Sequence, residues 1–189
     1  MQKYFVFDVE SLGLHGIVFA YGYVVVDETG RELESGYEAC SSFAKFHNWS
    51  KDSADFDPFS DDIKWTVENV LPALNGSTCD RFPELRDRFW KAWVKWKEQG
   101  AIMCADCPYP VEYNFVSECL AEAEYSDRAH DAPYPFIDVA SVLLTAGENP
   151  IGEFNRLENE LPRHNPLCDA RQSARLLIEA IDAINAPLI

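Results

Sequence analysis

The chain has 189 residues, of which 47% are hydrophobic and 13% aromatic, a length and composition for one domain, 1–189, with a continuous core. No segment approaches the run of about 20 apolar residues that crosses a bilayer, which excludes a membrane-spanning helix. With 32 acidic against 16 basic residues the net charge is -16, which excludes wrapping of a duplex over a broad surface but admits an enzyme that grips a few nucleotides through bound cations.

Residues 3–9 are aromatic and β-branched and read as a strand ending at Asp8 and Glu10. The start reaches these acids without an apolar stretch or a small-residue cleavage site, so no secretory signal is expected and the protein is predicted to be cytoplasmic. After the turn Ser11-Leu12-Gly13-Leu14-His15-Gly16, a second apolar run over 17–26 closes at Asp27-Glu28-Thr29-Gly30, a hairpin signal before a third strand over 31–40. Residues 41–58 lose any pattern and are expected to be a loop, and a helix is predicted over 60–71 behind Ser60. The strongest helix is 83–99, where Leu85, Phe89, Trp93 and Trp96 recur on one face and Gly100 is the stop. Then follow a short buried strand over 101–105, a helix over 111–124, a strand end at 136–138, a helix over 139–146 and a final helix over 166–184. This order predicts an α/β fold with a mixed central sheet, three antiparallel strands first, and flanking helices.

Six cysteines lie at 40, 79, 104, 107, 119 and 168; the single Cys104/Cys107 pair has no second pair or paired histidines, so buried free thiols are expected rather than structural zinc. Side chains at i and i+2 of a strand share a face, so Asp8 and Glu10 project together while Val9 enters the opposite layer. An acidic stretch runs from Asp106 to Glu112, and the segment His164-Asn165-Pro166-Leu167-Cys168-Asp169-Ala170 sets a histidine on the loop before a helix and a carboxylate on its first turn. Distant carboxylates plus an imidazole that titrates near neutrality are what metal-assisted phosphodiester hydrolysis requires.

Through these stations, in this order and across nearly its whole length, the chain resembles the DEDDh 3′-to-5′ exonucleases, a superfamily with a ribonuclease H-like fold, and among them the small bacterial and phage exoribonuclease-like proteins. The resemblance implies two Mg²⁺ or Mn²⁺ ions about 3.5 to 4 Å apart. Asp8 would bridge them, Glu10 and Asp169 would hold the nucleophile-side ion, a middle carboxylate would support the other, and His164 would accept the proton of the attacking water. For the middle position Asp106 has the usual side chain and Glu112, followed by Phe115 and Val116, the usual helical register; both stay open, Asp106 being placed first on identity and Glu112 as its alternative. Ser11 and Leu12, where relatives often have a threonine-rich turn, are candidate contacts to the terminal nucleotide. Arg171 and Arg175 are placed for phosphate or for ion pairs with neighbours such as Glu179. The basic excess over 81–97 with Trp90 is either a strand-binding face or a solvated outer face over a packed stripe, the latter favoured. Asp138 is assigned a structural role and Asn165 a local turn.

The implied activity is removal of nucleoside 5′-monophosphates from single-stranded 3′ ends, RNA before DNA, by a protein that can be a homodimer. The alternatives are a DNA-directed repair or proofreading exonuclease and a catalytically idle domain that binds nucleic-acid ends.

Overall fold

Alternation in the first strand decides the layering. The computed structural model describes residues 1–41, 60–122 and 128–187. In β1 (Lys3–Ser11), Phe5, Phe7 and Val9 enter one core cluster, while Tyr4 and Val6 face a second. Asp8 and Glu10 therefore continue the Tyr4–Val6 face at the C-terminal end of the strand. β2 (Val18–Asp27) is buried throughout, and β3 (Glu32–Ala39) is the half-exposed edge. With β4 (Ala101–Ala105) and β5 (Phe136–Asp138) they make one five-stranded mixed sheet in the order β3-β2-β1-β4-β5. β1 pairs antiparallel with β2 and β2 with β3; β4 runs parallel to both β1 and β5. The strand carrying the acidic pair is thus the middle one.

Helices cover both faces. α1 (Ser60–Trp65) passes into a π-helical turn, Thr66–Val70, and a 3₁₀ turn, Leu71–Ala73; the other helices are α2 (Phe82–Lys97), α3 (Val111–Ala121), α4 (Val139–Thr145) and α5 (Pro166–Asn185). On the Phe5–Phe7 side, Phe89 of α2 meets Phe5 edge-on at 5.8 Å and Phe115 of α3 at 4.9 Å. Such pairs add about 0.5–1.5 kcal/mol each beyond their burial. Because Phe115 lies one turn after Glu112, this packing also fixes where the first turn of α3 sits. On the other side Val139, Leu143, Ala170, Ala174 and Leu177 of α4 and α5 pack against Val6, Val24 and Val26.

One sequence expectation changes. The helix over 60–71 is not uniform: at Leu71 the N–H donates to the Thr66 carbonyl, an i→i+5 bond, and Pro72 forces the chain out of the helix. Trp90 belongs to the packed stripe, the alternative favoured from the sequence: α2 buries it to 5% exposure with the Arg128 guanidinium over its ring. Four of the five cations of α2 are likewise committed, Arg86 to Glu118 and Glu122, Arg88 to Glu38 and Glu84, Lys95 to Glu34 and Lys97 to Asp131, while Lys91 is exposed on the outer face. The expected loop at 41–58, beyond its first residue, and the last two residues of the helix expected over 111–124 lie outside the described residues. No described helix is long and apolar enough to cross a membrane. All six cysteines are unpaired, five of them buried.

Candidate metal centre

One glycine allows the site to form. Gly22 of β2 stands opposite Asp8 of β1, and a Cβ there would fall 2.1 Å from the Leu167 nitrogen and 2.4 Å from the Pro166 carbonyl carbon. With hydrogen in that place, the N-terminus of α5 lies directly on the sheet beside Asp8. Asn165 caps this helix, its side-chain oxygen accepting from the N–H groups of Leu167 (3.2 Å) and Cys168 (3.4 Å) while its amide donates to the Ala73 carbonyl at 2.8 Å. That is the local role the sequence suggested, extended by a tie to the turn after α1. Asp169 follows in the first turn, one Oδ2 accepting from the backbone N–H of His164 at 3.0 Å. His164 itself is left-handed, φ 62°, and its ring meets Trp65 edge-on at 5.0 Å.

Donor atoms of Glu10, His164 and Asp169 lie within 4.8 Å of one another. Glu112 comes from the opposite layer and lies near its own backbone N–H and that of Val9, both of which pull its pKa down, at the open end of β1 where β4 has already stopped. Glu10 and Glu112 are buried, at 9% and 8% exposure. Both middle-motif candidates reach the group, since Asp8 feels the charges of Asp169, Glu10, Glu112 and Asp106 in that order. They differ in company. Glu10 feels Asp169 and Glu112, whereas Asp106 is an exposed residue whose carboxylate is crowded by its surroundings and faces Asp138 and Asp169.

Burial and mutual repulsion hold these acids far above the ordinary carboxylate range. Desolvation first, then Asp169 and Glu112, push Glu10 up to about 8; desolvation and Asp106 push Glu112 to about 7. Asp8 is raised well above its usual value, again by burial first, and Asp169 is raised by burial although Arg156 and His164 pull it down. An all-oxygen donor set with one imidazole, strained by its own charge, suits a hard divalent cation, which would relieve both causes. The ion pair between Arg156 and the Asp169 Oδ1 is the only fixed guanidinium contact to these five acids among the described residues.

A pH dependence follows for the protein in chelator. Folded Glu10 and Glu112 bind protons up to about 8 and 7, whereas the unfolded groups release them near 4.5, so folding takes up protons in between. Stability is then complete below that lower limit and falls as pH rises toward 8, by a few kcal/mol. Melting curves in EDTA from pH 5 to 9 should show this fall and millimolar Mg²⁺ or Mn²⁺ should reverse it; a melting temperature flat in both would remove the case for a charged cluster.

Beside the acids opens a cavity of about 600 Å³, walled by Glu10, the turn from Ser11 to Gly16, Trp65, Thr66, Val111 and Glu112. Ser11 lines the cavity and donates its hydroxyl to the Gly13 carbonyl at 2.7 Å, and Leu12, also in the lining, packs against the cluster of Phe19 and Val70. Other residues singled out in the sequence sit elsewhere. Arg171 makes two 3.1 Å bonds to Glu32 and one of 3.3 Å to Ser35, tying α5 to β3. Arg175 grips Glu160 and Glu179. Asp138 accepts from Ser141 through Oδ2, while its buried Oδ1 has no hydrogen-bond partner among the described residues. Trp65, Arg156 and Gly22 were not identified from the sequence.

Neither protein-family models nor curated proteins match this chain.

Proposed function

We propose that this chain is a divalent-metal-dependent 3′-to-5′ exonuclease of the DEDDh type on a ribonuclease H-like fold, releasing nucleoside 5′-monophosphates from single-stranded nucleic acid. The observation that carries it is the meeting of Asp8, Glu10, Glu112 and Asp169, from β1, α3 and α5, with His164 beside a cavity whose roughly 600 Å³ accommodates one or two nucleotides. The mixed sheet with three antiparallel opening strands is in keeping with that fold.

Bound at Asp8, Glu10, Asp169 and a middle carboxylate, Mg²⁺ or Mn²⁺ would polarise the phosphate and lower the pKa of the attacking water. The chain's own groups do the rest. His164, held by its edge contact with Trp65, accepts the proton from that water. Trp65, half exposed on the cavity wall, offers a face on which the terminal base stacks, and Leu12 borders it from the opposite strand turn. Glu112 is the better middle ligand on geometry, because it shares the cavity and the field of Glu10, whereas Asp106 looks toward Asp138.

RNA and DNA oligonucleotides labelled at either end and incubated with Mg²⁺ test the reading. Mononucleotides should leave from the 3′ end, with relative rates on the two sugars giving the substrate. His164→Ala should lose on the order of 10² to 10⁴ in rate with Mn²⁺ binding retained by calorimetry. Glu112→Gln should lose more activity than Asp106→Asn. Release from the 5′ end, or none with any divalent ion, ends the proposal.

A further inference from the structure

A second, smaller cavity of about 170 Å³ meets the acids at Asp106, and its lining includes Arg156, Arg163, Gln172, Ser173 and Glu153. The large cavity reaches the group through Glu10 and Glu112; this one reaches it through Asp106 and through Arg156, which is bonded to Asp169. A strand whose last nucleoside fills the large cavity and whose scissile phosphate lies on the acids must continue toward this side.

The cations of the chain single out the same place. Most described lysines and arginines are tied up in ion pairs on the outer faces of α2 and α5. Arg163, the residue before His164, is exposed and makes no ion pair or hydrogen bond among the described residues, yet lines this cavity. Arg156 is anchored by one nitrogen, Nη1, to Asp169 and the Glu160 carbonyl at 2.9 Å, which leaves the rest of its donor fork toward the cavity. Gln172 adds an amide. Two guanidiniums, Arg156 and Arg163, face the two carboxylates of Asp106 and Glu153, so the lining of this cavity is balanced in charge beside a cluster of acids that is not.

We infer that the Arg156–Arg163 cavity is a subsite for the backbone phosphate one nucleotide upstream of the scissile bond, making the minimal well-bound substrate one with two phosphodiesters. The inference rests on the exonuclease reading for the direction of the strand. The chain as a whole is acidic, with a net charge of -16, and most of its other described cations are held in ion pairs. Bidentate guanidinium geometry suits this ligand.

The test is equilibrium binding with Ca²⁺ in place of Mg²⁺, comparing a dinucleotide with one phosphodiester and a trinucleotide with two, neither carrying a terminal phosphate. The trinucleotide should bind about tenfold more tightly to the wild-type protein. Arg163→Ala should erase that advantage while leaving dinucleotide affinity unchanged, and Lys91→Ala, on the outer face of α2, should preserve it. Equal affinity for the two ligands, an advantage that survives Arg163→Ala, an equal loss with Lys91→Ala, or no binding of either ligand overturns the subsite. An intact, Arg163-dependent advantage in a protein that hydrolyses nothing with Mg²⁺ upholds the subsite and removes the exonuclease. Hydrolysis without any trinucleotide advantage does the reverse.

Discussion

Asp8→Asn is expected to abolish hydrolysis and, in the same protein, to raise the melting temperature in EDTA above pH 7. The two effects have one cause. Asp8 lies at the centre of the acids, feeling Asp169, Glu10, Glu112 and Asp106 at once, and burial adds to their repulsion in raising its pKa. A neutral isostere removes one charge from that group without changing its volume, so the repulsion that costs stability at high pH is reduced. Relief of even 1–2 kcal/mol corresponds to roughly 2–8 °C in a chain of this size. The same charge is what a bridging cation would need. Losing several kcal/mol of transition-state stabilisation lowers the rate on the order of 10³ or more. Calorimetry at pH 5 and pH 8, with and without Mg²⁺, separates the parts: the stabilisation should be confined to the higher pH, and Mg²⁺ should no longer raise the melting temperature. A variant less stable than wild type at pH 8, or one that keeps its activity, would show that Asp8 is not the hub of the cluster.

Gly22→Ala should be nearly as damaging, from a residue that bears no chemistry. Its Cβ would lie 2.1 Å from the Leu167 nitrogen and 2.4 Å from its Cα, backbone atoms that cannot rotate away. The N-terminus of α5 must lift from β2, carrying Asp169 away from Asp8 and Glu10. Overpacking of this kind costs about 1–3 kcal/mol, and a displacement near 1 Å at a catalytic group can cost about 10² in rate. The expected result is a lower melting temperature together with weaker Mn²⁺ binding. Arg171→Ala, which loosens α5 from β3 at Glu32 without touching the acids, should lower stability with Mn²⁺ affinity little changed. If Gly22→Ala binds Mn²⁺ like the wild type, close approach of the helix is not what assembles the site.

Much of the scaffold was legible because local rules act over short distances. Alternation in residues 3–9 put Asp8 and Glu10 on one face with Val9 on the other, and the two core clusters divide β1 that way. The four-four-three spacing of Leu85, Phe89, Trp93 and Trp96 gave a helix whose stripe is buried. Where competing backbone options are close in energy, local rules failed: the segment after Trp65 slips into a π turn and then meets Pro72, which no hydrophobic period reveals.

By itself, then, the order of residues determined that the chain builds a mixed α/β sheet, that two carboxylates end its first strand side by side, and that a histidine and an aspartate open its last helix. Those are consequences of periods and caps written within a few positions. Which acids stand near which was decided only by tertiary packing. Tertiary packing sets Glu112 against Glu10 and sets Asp106 against Asp138 and Asp169, and the hold on Asp169 comes from Arg156, 13 residues away along an irregular loop. Through-space charge and close approach, as at Gly22, depend on distances that no local pattern encodes.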